Sequence, residues 1–149
     1  MIPDTIFRML ITPHVATGVA VGSLLPSPLL ALLAGVVSHF LLDMIPHWDP
    51  DPRRRGQFAA FVAVDATLAG VVLLVSLGLY PESQTAILFA AFGAILPDVI
   101  ENLGRILLGR AVPYLSRFHE LIQPKMLDRG RGLILQVIYL AGLLAWLWR

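Results

Sequence analysis

The sequence has no cysteine, which excludes disulfides, thiolate metal sites and cysteine nucleophiles together. Charge is nearly as scarce: Asp, Glu, Lys and Arg make up 14% of 149 residues, against 57% hydrophobic residues. No ordinary soluble surface can be assembled from that composition, so lipid is the solvent for most of the chain. No long basic run or interleaving of basic and aromatic residues is present, which argues against a nucleic-acid partner. A G-x-S-x-G nucleophile elbow and a phosphate-cradling P-loop are missing too, and Ser38 beside His39 would point away from it on a helix. The N-terminal MIPDTIFRMLITPH carries an acid and a proline and has no small-residue cleavage site after a compact apolar core, which predicts insertion through the chain's own spans.

Three long apolar runs follow. Residues 58–80 contain a single charge, residues 85–108 are interrupted by Pro97, Asp98 and Glu101, and residues 133–148 end in tryptophan. The first is long enough to cross a hydrocarbon core of about 30 Å, and tryptophan suits the interface. Upstream, residues 15–25 and 29–45 are split by Pro26-Ser27-Pro28, which predicts a helical hairpin because proline removes a donor and restricts its predecessor. Whether the first arm starts earlier in the chain or enters the bilayer without crossing it is open. The expected fold is an all-α integral membrane bundle of four or five membrane-embedded helices in a single domain, residues 1–149. A frame A-x-G-x-x-L-P recurs at residues 20–26 and 91–97, which reads as close helix packing or as a duplicated half.

Lys and Arg are distributed unevenly. Arg53, Arg54 and Arg55 precede the first long span; Arg105, Arg110, Arg117, Lys125, Arg129 and Arg131 fall between or beside the later two; the 81–84 turn has only Glu82. Both basic loops are therefore expected on the cytoplasmic face of a multi-pass membrane protein. At about 1.5 Å per residue, that topology places His39, Asp43, Asp65, Asp98 and Glu101 in one layer, the cytoplasmic half of the bilayer. His14, behind a Thr12-Pro13 helix start, enters from the same side.

The stretch SHFLLDMIPHWD, residues 38–49, carries the chemistry. A spacing of four puts His39 and Asp43 on one helix face, and Pro46 should end or kink the helix so that His47 and Asp49 turn back at its mouth. Acids in a bilayer pair, face water or bind an ion, and Arg105 alone is too few counter-ions for these. Plainer readings stand beside this one: a hydrogen-bonded His39–Asp43 pair, Asp98 as a cap after Pro97, His47 and Asp49 as loop residues, and His119 with Glu120 on an amphipathic surface helix that could reach back to the site.

The N-terminal histidine, GAILPD at 93–98 and SHFLLDMIPH at 38–47 together resemble the membrane-bound metal-dependent hydrolases of the inner membrane. The resemblance covers about two thirds of the chain and implies metal-ligand roles for His14 and Asp98. The His-x3-Asp frame of His39 and Asp43 is similar to the helical ligand pair of zinc-dependent phospholipases C and related nucleases. The family's downstream His-Arg-Gly-x-x-His-Ser type of motif has no counterpart here, His119 being the sole histidine after the GAILPD stretch.

The resulting expectation is a hydrolase of a lipid phosphoester with a divalent ion, zinc first and manganese or iron next, held by His14, His39, Asp43 and Asp98. Asp65 is the expected general base or second-ion ligand, and His47, Asp49, Glu101 and His119 are candidates to support the ligands or to hold a second ion. Arg53, Arg54 and Arg55 are expected to hold a lipid phosphate at the interface. A metal or proton transporter and a metal-stapled structural bundle are the alternatives, the outer span halves being poor in the polar groups a transport path requires. Homo-oligomerisation is left open.

Overall fold

Proline and serine punctuate the N-terminal third as the sequence requires. In a computed structural model, which describes residues 10–51, 54–110, 112–122 and 126–149, helix α1 (Ile11–Leu24) gives way at Leu25 to extended backbone, and α2 (Pro28–Asp43) starts with Pro28 in its first turn and Ser27 as cap. Pro is favoured there because its missing N–H would have no helical partner anyway. The first arm thus begins upstream of residue 15. Four more helices follow, α3 (Arg55–Leu79), α4 (Gln84–Leu108), α5 (Pro113–Ile122) and α6 (Arg129–Leu147), with a 3-10 turn at Pro81–Ser83 between α3 and α4. No strand occurs among the described residues.

Three helical stretches are long and apolar enough to cross a membrane: Gly56–Leu79, Pro81–Leu108 and Arg129–Leu147, with mean hydropathies of 2.4, 1.6 and 1.6. Of the expected four or five embedded helices, three among the described residues are candidate spans by length and composition, and α2 is a shorter apolar helix. At 14 and 16 residues, α1 and α2 rise only about 21 and 24 Å, short of a hydrocarbon core of about 30 Å. Pro97 does not divide α4, which is helical on both sides of it.

The packing is inside-out relative to a soluble protein. Leucine and valine face outward at Leu30, Leu33, Val37 and Leu41 of α2 and at Val64, Leu68, Val71 and Leu74 of α3. The interior is built from small residues, with Ala16, Ala31, Ala90 and Ala94 fully buried. Lipid offers no hydrophobic gain for joining helices, so close van der Waals approach does that work and small side chains permit it. A Cβ on Gly35 would lie 2.3 Å from the Ala90 carbonyl oxygen of α4, and one on Gly93 would lie 2.3 Å from the Leu32 carbonyl oxygen of α2. On α1, Gly22 abuts Ile87. Gly22 and Gly93 are the equivalent glycines of the repeated A-x-G-x-x-L-P frame, and each sits at a close helix contact.

This tight contact brings the polar ends of α1, α2 and α4 together. Helix α5 closes over them, its Tyr114 and Leu121 outward and its Ser116 and His119 buried. The loop after α2 is tied to α6 and the residues before it: Leu127 N donates to His47 O (2.9 Å), and Gln136 Nε2 of α6 to Trp48 O (2.9 Å).

Candidate metal centre

All four histidines are buried: His14 and His47 are 1% exposed, His39 and His119 are 0%. Three of them meet two aspartates contributed by separate helices. His14 Nε2 of α1 lies 3.3 Å from Asp43 Oδ1 of α2. His39 Nε2 lies 3.4 Å from Asp43 Oδ2 one turn along α2, and 3.8 Å from Asp98 Oδ1 of α4. His119 Nε2 of α5 lies 3.5 Å from Asp43 Oδ2 and 3.1 Å from His39 Nε2. The His14 and His39 rings stack at 4.4 Å between centroids.

The outward nitrogens of two rings are committed elsewhere. His39 Nδ1 donates to the Ala94 carbonyl of α4 at 2.8 Å, one residue from Gly93, the carbonyl whose helical donor Pro97 removes. His119 Nδ1 faces two acceptors, Leu115 O at 3.1 Å and Glu101 Oε2 at 3.2 Å. With each Nδ1 carrying a hydrogen, a neutral ring turns its Nε2 lone pair toward the other ring, whereas a protonated His119 donates across the 3.1 Å contact. Two lone pairs at 3.1 Å repel unless a proton or a cation lies between them. His14 is buried against the same carboxylate: its Nε2 stands 3.3 Å from Asp43 Oδ1, and neither of its ring nitrogens has a well-formed hydrogen bond.

These observations fit a metal ion. Ligand atoms about 2.0–2.1 Å from a tetrahedral ion stand about 3.3 Å from one another, the spacing found here. Two sets of potential ligand atoms arise, His14 with His39 and Asp98, and His39 with Asp43 and His119, each within 4.8 Å. The buried His/Asp cluster could hold a metal ion. Glu101 extends it as the carboxylate of a carboxylate–histidine pair, while also accepting from Ser116 Oγ at 2.9 Å and pairing with Arg105; such partners fix the ring and raise its basicity.

The four expected ligands, His14, His39, Asp43 and Asp98, are thus brought together, and His119 joins them. His119 reaches back into the cluster from an amphipathic helix whose other face is exposed. Ser116 and His119, an i, i+3 pair opposite Tyr114 and Leu121, face inward, while Arg117 and Glu120 of the same helix are exposed. Burial disfavours the charged form of His119, yet Glu101, Asp43 and Asp98 more than offset this and hold its pKa above the usual histidine value.

Asp65 is placed differently from the expected base. Its carboxylate accepts from Ile11 N and from Thr12 N (3.1 Å), and lies 2.6 Å from Thr12 Oγ1. Leu10, at the cap position of α1, offers no side-chain acceptor, so an acid from α3 satisfies these donors and the positive helix end. Asp65 thereby anchors the turn that carries His14.

His47 and Asp49 pair with each other at 3.5 Å, His47 Nδ1 also donating to Ile45 O at 2.7 Å. Burial pushes the Asp49 carboxyl up to about 6, and although burial opposes charge on His47, Asp49 raises that histidine above its ordinary value. Of the three expected phosphate-binding arginines, Arg53 and the side chain of Arg55 lie outside the described residues. Arg54 lines a cavity of 260 Å³ with Trp48, Gln57, Phe61 and Arg129, where the Arg129 guanidinium sits 5.1 Å from the Phe61 ring centroid. A second cavity, of 250 Å³, lies between Leu42, Ile45, Pro46 and His47 on one side and Leu135, Gln136, Ile138 and Tyr139 of α6 on the other.

Comparisons of the chain with protein-family models, with curated proteins and with solved structures gave no match.

Proposed function

We propose that this chain is a membrane-embedded, metal-dependent hydrolase of a lipid phosphoester, working from the cytoplasmic side of the inner membrane, with α1 and α2 embedded beside the three spans. The observation that carries it is the convergence of the His39 and His119 lone pairs, the unpartnered His14 ring and Asp43 inside a lipid-facing bundle. Imidazole and carboxylate donors suit zinc first, manganese or iron next. Such an ion supplies Lewis acidity toward a phosphoryl oxygen and an acidified water.

The chain's own residues supply the remainder. His14, His39, Asp43, Asp98 and His119 are the ligands, and Asp98, at 13% exposure the least buried of the five, lies on the side from which a substrate enters. Asp65 has a positioning role, holding the start of α1 three residues before His14. Arg54 and Arg129 at the 260 Å³ cavity suit a lipid phosphate, and the apolar cavity between Leu42 and Ile138 suits an acyl or prenyl chain. In hydrolysis, water oxygen bonds to phosphorus, the ester oxygen leaves, and the water proton ends on the departing alcohol.

A metal-stapled structural bundle is the second reading, favoured by one observation: four of the five ligands are 1% exposed or less. Purified protein, stripped with chelator and reloaded with zinc, is assayed on phospholipids and polyprenyl phosphates. Metal-restored release of phosphate or headgroup supports hydrolysis. No turnover across the panel, with a stabilising metal bound, replaces it with the structural reading.

A further inference from the structure

The geometry points to a pair of divalent ions bridged by Asp43, the first held by His39, His119 and Asp43 Oδ2, the second by His14, Asp98 and Asp43 Oδ1. This rests on the metal-centre reading and deepens it.

The cluster has too many ligand atoms facing too many directions for one ion. His39 belongs to both potential ligand sets, but its Nδ1 is bonded to Ala94 O, so only Nε2 is free and it serves one ion. It lies closer to His119 Nε2 (3.1 Å) and Asp43 Oδ2 (3.4 Å) than to Asp98 (3.8 Å), which assigns it to the first ion. His119, with Nδ1 facing Glu101 and Leu115, also offers Nε2 alone. Asp43 divides its oxygens: Oδ2 faces His39 and His119, while Oδ1 faces His14 and has no hydrogen-bond partner.

That leaves His14 and Asp98, which share a ligand set, and Asp43 Oδ1, which stands 3.3 Å from His14 Nε2, for a second ion; neither nitrogen of His14 has a hydrogen-bond partner. A carboxylate that gives one oxygen to each of two ions is suited to a separation of about 3.5–4 Å, the spacing of two-metal sites that clamp the attacking and leaving oxygens of a phosphoester. Charge favours two ions as well. Asp43 and Asp98 with Glu101 behind His119 give three carboxylates, and Arg105 is the cation ion-paired to Glu101. Asp65 is not required for the second ion, its carboxylate being occupied at the start of α1.

The test is metal stoichiometry of the full chain in detergent, stripped and then titrated with zinc, with bound metal counted by mass spectrometry. The expected result is two equivalents per chain in the parent and one in His14→Ala. Saturation at one equivalent overturns the bridged pair and leaves the single-ion reading intact. No bound metal overturns both. A readout that needs no variant is manganese loading followed by electron paramagnetic resonance: a bridged pair gives an exchange-coupled spectrum, whereas only isolated six-line signals at saturation overturn the proposal.

Discussion

Glu101 Oε2 stands 3.2 Å from His119 Nδ1, so an acid on a candidate span sets the tautomer of a histidine eighteen positions later on a separate helix. Glu101→Gln keeps the shape and removes the charge. Loss of such a partner costs about 10–100-fold in metal affinity, and competition against a chromophoric chelator reads it directly. Unchanged affinity would mean that the Leu115 carbonyl orients His119 alone.

His39→Ala and Asp43→Ala should each lower bound metal and abolish the metal's effect on melting. An ion present at about 100 times its Kd adds about 2.7 kcal/mol to a folded state that alone binds it, and chelation of the parent should lower Tm accordingly. If parent and variants melt alike with and without chelator, the cluster is polar packing.

Asp65→Ala leaves the Ile11 and Thr12 amides without their acceptor. Loss of a helix cap costs roughly 0.5–2 kcal/mol, and because α1 carries His14, metal binding should weaken with it. Asp65→Asn keeps an acceptor and should lose less. If Asp65→Asn binds metal and melts as the parent does but has no metal-dependent hydrolysis, Asp65 returns to the mechanism as a base.

Gly93→Val places a branched side chain where a Cβ alone would meet the Leu32 carbonyl at 2.3 Å. Overpacking typically costs about 1–3 kcal/mol, and here α2 must move away from α4, separating His39 and Asp43 from Asp98. Both Tm and metal affinity should fall. Gly70→Val, at a position with open space, is the control and should leave metal affinity unchanged.

The His47–Asp49 pair gives a pH dependence. Asp49 titrates near 6 in the fold against 3.8 as a free carboxyl, and His47 lies above 6.5. Both folded values are raised, so the folded chain retains protons the unfolded chain has released. The stability this pair contributes is fully present at low pH and declines as pH rises, through 3.8 to about 6 for Asp49 and from 6.5 upward for His47. In metal-free protein, Asp49→Asn should flatten the fall in Tm between pH 4 and 6; an identical slope would exclude the pair as its source.

Much of the scaffold is already written in the order of residues. Apolar runs place α3, α4 and α6 because a bilayer requires length and hydrophobicity of one continuous segment, and Pro26-Ser27-Pro28 sets the break between α1 and α2. The His-x3-Asp spacing puts His39 and Asp43 on one face because helical period is a local property. What folding alone decided is pairing across distance. Gly35 and Gly93 let backbones approach until Ala94 could orient His39, and Asp65 went to the start of α1 because that helix lacks its own cap. His119 faces inward because Glu101 and the ligand cluster give its ring more hydrogen bonds and charge than the surface does, and no spacing along α5 encodes which residues lie beneath it.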